Sequence, residues 1–356
     1  GVVMSRARDL ADLGGSADAG GLTGRNLIIN GAMNVAQRGT SETGVTTTGV
    51  FVLDRFGLNV ADTAEYTISQ STTTPDGFAN SMKWDNTTAN ASPSSGQYAL
   101  FTQKIEGQNL QHLKYGTASA ESMTISFWVR SNKTGTYILE LLQPDASNRH
   151  INKSYTISSA DTWEYKTITF PGDTSGVINN DNGDGLQVTW WLGAGSGFTS
   201  GTLQTSWGAL DNTARAVGNV NLSDSDSNEW YITGVQLEVG ETATPFEHED
   251  YGTTLAKCLR YYNRLGLFFA RVRNESASSQ SPDFVTTITF PSMRDAPTIS
   301  TYTDANYSSS GTTSTGGSAL TFINISKSSA NASMNSSSSG AQNISNTAYL
   351  ELDKEL

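Results

Sequence analysis

The stretch Thr124–Arg130, TISFWVR, decides the fold of this chain. Its apolar and polar residues alternate, and a period of two places successive side chains on opposite faces of a β-strand. The apolar set must face a core, which leaves Trp128 and Arg130 on the other face. The segment QVTWWL, residues 187–192, has the same alternation, which buries Trp190 and leaves Trp191 outside. Both segments therefore predict strands that cover a core with one face only.

Short segments of this kind recur from Asn26 to residue 250, separated by clusters of Gly, Asn, Asp and Ser. No helical block of ten or more residues lies between them. This pattern predicts a mainly β protein whose larger domain is an antiparallel β-sandwich of jelly-roll type. The predicted strands are Glu65–Gln70, Ser81–Trp84, Tyr98–Ile105, Met123–Arg130, Tyr137–Leu142, Glu164–Phe170, Leu186–Leu192 and Glu229–Glu238.

The composition agrees with a β-rich fold and restricts the partners. Only 16% of the 356 residues are charged, and the formal net charge is -12. Residues 26–265 carry 24 acidic against 14 basic residues, so the acidity belongs mainly to the predicted sandwich. Nucleic acids and anionic membranes both require a basic face, so we expect neither as a partner.

Cysteine usage and hydropathy limit the chemistry further. Cys258 is the only cysteine, which excludes an intrachain disulfide and CxxC metal or redox motifs. No apolar run approaches the length of a membrane span, and the N-terminal residues lack the apolar core of a signal peptide. We therefore expect a protein that folds in the cytoplasm of the cell that makes it and does not insert into a membrane.

Changes in pattern along the chain predict three parts. Residues 1–25 contain SRARDLADL, a short helix with Ser5 as its N-cap, followed by a Gly-rich linker; such a helix needs a larger partner and suggests an anchor. Residues 26–250 form the sandwich. Residues 251–356 start with a predicted helix, Thr253–Leu265, whose buried stripe would hold Leu255, Leu259 and Tyr262.

The last part predicts association between identical chains. Its expected strands are Gly266–Val272, Phe284–Phe290, Leu320–Ile325 and Ala348–Leu352. Between them lie Ser-, Thr- and Asn-rich segments with almost no large apolar side chain. About ninety residues with so little core material are marginal as a monomer. Disorder is one solution, but the interleaved strands alternate too regularly to favour it, so we predict a homotrimer in which the chains share one core.

The segment Tyr231–Tyr251, YITGVQLEVGETATPFEHEDY, is either an enzyme loop or a joint between modules. Gly240 ends a strand, and Pro245 fixes a bend because it lacks a backbone donor. Carboxylates then precede the predicted helix, where they stabilise its positive end. We favour a joint, with Phe246 folding back as an apolar plug.

Several motifs resemble tail-fibre and receptor-binding proteins of bacterial viruses. They are NLIINGAMNVAQRGTS, DRF at residues 54–56, TGVQLEVGETATPFE followed by LAKCLRYY, and the late FPSMRDAPT. The resemblance covers residues 26–298. It implies a virion protein, a sandwich related to carbohydrate-binding modules, a homotrimer, and attachment to other virion tail proteins through the N-terminus.

Catalytic constellations are scarce in the sequence. His112, His150 and His248 occur singly, without metal-ligand spacing or a GxSxG or HExxH context. Paired carboxylates for glycoside cleavage form in space rather than in sequence, so a polysaccharide depolymerase stays an alternative. No repeat of a β-helix is visible, and we expect no enzyme.

One acidic loop, NNDNGDG at residues 179–185, offers Asp181 and Asp184 as oxygen ligands for a structural calcium ion. Its register does not match D-x-[DN]-x-[DN]-G, and an Asn/Asp/Gly hairpin turn explains the loop better. No other cofactor is indicated.

Large aromatic residues among polar groups on sheet faces are what a sugar site requires, because pyranose faces stack on flat rings and hydroxyls bond polar groups. Alternatively, a loop or a neighbouring subunit covers the outward tryptophans. The loops Ser71–Phe78 and Gly193–Gly218 could also contact a receptor. The candidate glycan-binding residues are Trp128, Arg130, Gln187, Trp191, Trp230, Gln236 and Glu238.

These features lead to one main expectation and two alternatives. The main one is a non-enzymatic tail-fibre or tail-tip protein in the virion that attaches to bacterial surface polysaccharide. The alternatives are a purely structural virion component that joins neighbouring proteins and a depolymerase.

Overall fold

A computed structural model describes residues 24–265, 269–274, 284–301, 321–334, 340–345 and 350–356. The predicted N-terminal anchoring helix lies outside the described residues. The chain divides into two compact units, with the division between Thr254 and Leu255. The first unit is the sandwich, and the second contains the smaller sheets.

The described residues of the first unit contain twelve strands. They are β1 (Ser41–Val45), β2 (Phe56–Ala61), β3 (Glu65–Ser71), β4 (Ser81–Thr88), β5 (Tyr98–Glu106), β6 (Met123–Ser131), β7 (Gly135–Gln143), β8 (Arg149–Ile157), β9 (Glu164–Phe170), β10 (Asp184–Ala194), β11 (Gly208–Ala209) and β12 (Glu229–Val239). A short helix, α1 (Ser196–Thr199), follows β10. Short 3-10 turns lie at Gly107–Asn109, Gln111–Leu113, Asn212–Ala214 and Leu222–Asp224.

These strands pair into two antiparallel six-stranded sheets. Sheet 1 has the order β1-β3-β4-β12-β6-β9, and sheet 2 has the order β11-β8-β7-β10-β5-β2. Consecutive strands cross repeatedly between the sheets, for example from β4 to β5 and from β9 to β10. The predicted antiparallel sandwich is confirmed, and each of its eight predicted strands is present. The strand β8 escaped prediction because Lys153 interrupts the alternation of its apolar residues.

The main core lies between the two sheets and is rich in aromatic rings. Phe101 lies 5.8 Å from Trp190 and 5.9 Å from Trp230 between ring centroids, and Phe127 contacts Trp190 edge-on at 5.7 Å. Burying one such side chain fully contributes about 1.5–3 kcal/mol. This core fixes the direction in which every neighbouring side chain points, including those on the outer faces.

A β-bulge in β12 corrects the predicted direction of Trp230. The pairing of β12 with β6 shifts register between Thr233 and Gln236. Gly234 takes a left-handed backbone conformation there, with φ of 62°. The extra residue puts Trp230 on the same inner face as Val235, although strict alternation separates them. The prediction that Trp230 lies on the outer face is therefore wrong.

The end of β12 and the residues after it form a joint at residues 235–247 that is held by many hydrogen bonds. The Glu247 carboxylate accepts from the backbone N–H groups of Gly24, Arg25 and Asn26, the last two at 3.0 and 3.1 Å. Asn26 Nδ2 in turn donates to the Val235 carbonyl at 3.1 Å. The first and last segments of the sandwich are thus bonded to each other.

The second unit is smaller and differs from the prediction at its start. The helix α2, Tyr251–Cys258, contains the division between the two units and is capped by Asp250, which accepts from Thr253 N at 3.0 Å. The predicted helix to Leu265 is wrong in its second half, because Tyr262–Leu265 pairs as a strand, β13, with the last strand of the chain. Tyr262 therefore does not belong to a helical stripe.

The remaining strands of this unit are β14 (Phe269–Asn274), β15 (Phe284–Thr289), β16 (Thr298–Thr301), β17 (Thr321–Ile323), β18 (Ser329–Met334), β19 (Gly340–Ser345) and β20 (Leu350–Asp353). They form the sheets β13-β20-β16, β14-β19 and β15-β18-β17. Within the described residues their core comprises Phe290, Met293, Ala330, Leu350 and Leu352. The predicted homotrimer and domain boundaries stay predictions.

Across the ranges that the structure describes, no helix combines the length and the apolar character that a membrane crossing demands.

Candidate functional site

The structure distributes the seven candidate glycan-binding residues over four environments. Trp128 and Arg130 lie on the outer face of sheet 1. Gln236 and Glu238 lie on that face too, but beneath the joint. Gln187 and Trp191 are on the outer face of sheet 2, and Trp230 is in the core. The predicted residues therefore do not form one site.

Residues 195–216, hereafter the covering segment, close the outer face of sheet 2. Trp191 points away from the main core as predicted, yet it is 0% exposed. Its ring centroid is 5.3 Å from that of Phe198, and the Arg215 guanidinium carbon lies 4.9 Å from the ring. Leu100, Ile138 and Ala216 complete a small second core. Trp191 thus offers no free ring face, and the prediction of an outward sugar platform there is wrong.

A buried carboxylate holds the covering segment in place. The two oxygens of Glu140 accept from Arg215 Nε at 2.8 Å and Nη2 at 2.7 Å. They also accept from Trp191 Nε1 at 3.2 Å and lie 3.1 Å from His150 Nδ1. Burial acts to raise the pKa of Glu140, but the bonds from His150 and Arg215 outweigh it and lower that pKa. His150 is therefore part of this structural cluster.

The candidates Gln236, Glu238 and Gln187 form hydrogen bonds with other residues of the chain. Gln236 Oε1 accepts from Glu247 N at 2.8 Å. Glu238 accepts from the Thr244 backbone at 2.8 Å and from its hydroxyl at 2.7 Å. Both side chains are buried and fasten the joint. Gln187 is partly exposed and donates to Asp184 at 2.6 Å.

The outer face of sheet 1 carries a different arrangement, a row of aromatic side chains open to solvent. We name this row the aromatic stripe, and its members are Tyr165, Trp128, Phe78, Phe246 and His248. Trp128 and Tyr165 face each other across β6 and β9, with ring centroids 5.3 Å apart. Tyr165 is 45% exposed, and Trp128 is partly exposed.

The bulge glycine lets the aromatic stripe continue across the sheet. A Cβ on Gly234 would lie 2.6 Å from Phe78 and 3.2 Å from Trp128, so both rings meet above this position. Phe78 comes from the loop before β4 and packs 5.1 Å from Phe246 between ring centroids. His248 lies 4.9 Å from Phe246 and is exposed. Position 234 thus requires glycine for two reasons: the backbone conformation is left-handed, and a side chain there would displace the Phe78 ring.

Paired charges border the aromatic stripe. Arg130 Nη2 donates to Asp161 at 2.8 Å, and its guanidinium carbon lies 4.9 Å from the Tyr231 ring. Lys83 Nζ lies 2.6 Å from Glu229. Burial acts to raise the pKa of Glu229, but the bonds from Lys83 and Tyr231 outweigh it and lower that pKa. These charges are therefore already neutralised within the protein.

Two members of the aromatic stripe show what sequence analysis missed. Tyr165 lies at an outward-facing position of the strand Glu164–Phe170, which was predicted correctly. Its exposure on this face could therefore have been predicted from alternation. Phe78 comes from a loop and rests on the sheet only because of the bulge. No local pattern in the sequence gives that contact.

The acidic loop forms a turn whose carboxylates have local donors. Asp181 accepts from Gly183 N at 2.8 Å, and Asp184 lies 3.7 Å from Lys104. Within the described residues, no group of three or more His, Cys, Asp or Glu side chains is arranged to hold a metal ion. The calcium prediction gains no support from this geometry.

Comparisons with solved structures give similarities of fold. The Bacteriophage CBA120 tailspike protein 4 enzymatically active domain is 13% identical with a TM-score of 0.31, over 60% of this chain and 21% of that one. The C-terminal family 22 carbohydrate binding module of Clostridium thermocellum Xyn10B is 12% identical with a TM-score of 0.33, over 62% and 99%. A putative sugar binding protein from Bacteroides thetaiotaomicron is 13% identical with a TM-score of 0.34, over 60% and 99%.

No protein-family model matches the sequence, and a search of curated proteins finds no match.

Proposed function

We propose that this chain is a non-enzymatic attachment protein of a virion tail that binds bacterial surface glycan through the aromatic stripe. The observation that supports the proposal most is the exposure of Trp128 and Tyr165. Four of the seven tryptophans, Trp84, Trp190, Trp191 and Trp230, are fully buried. Trp128, one of the three partly exposed tryptophans, lies in an open aromatic row beside polar groups.

The chemistry of the stripe suits a sugar. Pyranose rings present flat C–H faces, which stack on aromatic rings, while their hydroxyls need planar or hydroxyl partners nearby. The exposed Thr167 lies next to the Trp128–Tyr165 pair, opposite the buried Ser126 of β6. The Trp128 indole N–H has no acceptor among the described residues. A shallow face of this kind favours one side of a polymer over an enclosed small molecule.

The proposal includes the threefold assembly predicted from the sparse core of the second unit. A shallow site binds one sugar chain weakly. Three copies presented together convert the second attachment into an intramolecular event, which raises the overall affinity by about 10²–10⁴. The virion context of the proposal comes from the sequence resemblance to tail fibres.

A second candidate function is a structural virion component whose stripe packs on a neighbouring protein. The exposed aromatic row favours this alternative as well, because apolar patches also mark protein interfaces. The two differ in their ligand: a glycan array bound by the isolated chain supports attachment, and no glycan binding supports the structural role.

Substitution of Trp128 tests the attachment proposal directly. We expect Trp128→Ala to reduce binding to a bacterial glycan array about tenfold or more, since one lost stacking contact costs about 1 kcal/mol per chain and three chains act together. Tyr251→Ala is the control, because Tyr251 is an aromatic residue that is 56% exposed and lies in α2, outside the aromatic stripe and outside both loops that could contact a receptor. Equal binding by the two variants would contradict the proposal. Loss of polymer viscosity on incubation would instead indicate a depolymerase.

A further inference from the structure

We infer that the aromatic stripe selects uncharged polysaccharide chains over acidic ones. This inference rests on the proposed function and adds the chemical class of the ligand. Two observations support it: the cations beside the stripe are already paired with carboxylates, and the sandwich as a whole is negatively charged.

Two cations of sheet 1 beside the stripe, Arg130 and Lys83, are already paired with carboxylates of the same chain. Arg130 Nη2 donates to the Asp161 carboxylate at 2.8 Å, and Arg130 Nε donates to the Asp161 carbonyl at 3.0 Å. Lys83 Nζ lies 2.6 Å from Glu229 and 3.3 Å from Asp85. An anionic sugar would have to displace these carboxylates to reach either cation. Displacement would leave the carboxylates beside a second anion, which is unfavourable.

The Tyr231 ring reinforces this arrangement. Arg130 and Lys83 both lie over it, at 4.9 and 5.8 Å from the ring centroid, and its hydroxyl donates to Glu229 at 2.7 Å. The cations are therefore held by cation–π contacts as well as by ion pairs. Because Arg130 and Lys83 already have these partners, neither side chain is free to bind an anionic sugar.

The field of the module acts in the same direction. Residues 26–250 carry 24 acidic and 11 basic residues, a net charge of -13 from their difference. A polyanion that approaches such a surface is repelled over roughly a Debye length, about 8 Å at physiological salt. An uncharged chain meets no such barrier. It can stack on Trp128 and Tyr165 and bond the Thr167 hydroxyl without separating an ion pair.

The experiment uses the full chain on an array of bacterial polysaccharides sorted into uncharged polymers and polymers with uronate or phosphate groups. We expect binding to uncharged polymers that changes less than about twofold from low to high salt, because no ion pair forms on binding. We expect Tyr165→Ala to weaken that binding about tenfold, the value of a lost stacking contact of about 1.4 kcal/mol. Arg130→Gln should change it less than about twofold.

Three outcomes separate the claims. Binding confined to acidic polymers, weakened by salt and by Arg130→Gln, would overturn the inference while leaving glycan attachment intact. Binding to neither class would overturn the proposed function itself. Binding to uncharged polymers with the expected ranking of Tyr165→Ala and Arg130→Gln supports both. Melting temperatures of each variant, with Tyr251→Ala as a further control, distinguish lost contacts from lost folding.

Discussion

The two outer faces of the sandwich start from the same pattern and reach opposite states. In each case an alternating strand directs a tryptophan away from the main core, Trp128 in β6 and Trp191 in β10. The covering segment buries Trp191 in a second small core, whereas Trp128 stays in an open aromatic row. Alternation therefore decides which sheet face a residue occupies, but the packing of a loop decides whether that face meets solvent.

The ion pairs on the two faces differ in burial, as the tryptophans do. Arg215 is locked over a fully buried carboxylate, while Arg130 pairs with Asp161, whose side chain is 57% exposed. Buried pairs of this kind are costly to break, and exposed ones contribute little. Variants that compare equivalent residues on the two faces can test this contrast.

The largest expected effect is on the covered face. Trp191→Ala should lower the free energy of unfolding by about 3–5 kcal/mol, because it empties the second core and leaves Glu140 without one donor. Trp128→Ala should lower it by no more than about 1 kcal/mol. Urea unfolding of both variants measures the difference. Equal losses would mean that the two faces are covered alike.

The arginine pair gives the next effect. Arg215→Met should cost about 3 kcal/mol, since it leaves the Glu140 charge buried with weaker compensation. Arg130→Met, the matched change on the open face, should cost at most about 1 kcal/mol. Thermal unfolding followed by near-UV circular dichroism of the indoles measures both. A small loss for Arg215→Met would show that the covering segment does not depend on this ion pair.

Acid should weaken the covered face selectively. The folded pKa of Glu140 is lowered, so its contribution is fully present above its unfolded pKa of about 4.3 and is lost as the pH falls through the folded value. We expect Glu140→Gln to be less stable than the parent at neutral pH and to lose less stability between neutral pH and the acid range. Parallel pH profiles for the two proteins would contradict this assignment.

A smaller effect is expected at the bulge that supports the open face. Gly234→Ala forces a left-handed conformation on a residue with a Cβ, which costs about 1–2 kcal/mol, and displaces Phe78. We therefore expect a modest loss of stability together with weaker glycan binding. Gly218→Ala has a similar φ of 85° but no neighbour within 4 Å of its Cβ. Unchanged binding by Gly234→Ala with reduced binding by Gly218→Ala would be the contrary result.

The sequence predicted most of the sandwich and only part of the candidate site. Strands such as Glu164–Phe170 follow from local alternation, which packing against a core enforces. Strict alternation through Gly234 places Trp230 on the wrong face because it does not allow for a bulge. A glycine inside a strand often marks such a bulge. Trp191 was correctly directed away from the main core, but its cover comes from residues 195–216, a contact that alternation cannot report.

The carboxylate of Glu247, bonded to the N–H groups of residues 24–26, has a mechanical consequence. The chain enters and leaves the sandwich at neighbouring points, so tension applied to the two segments passes directly from one to the other. The sheets then carry little of that load. The outer face of sheet 1, with its open aromatic row, then keeps its shape while the segments at residues 24–26 and 247 are pulled.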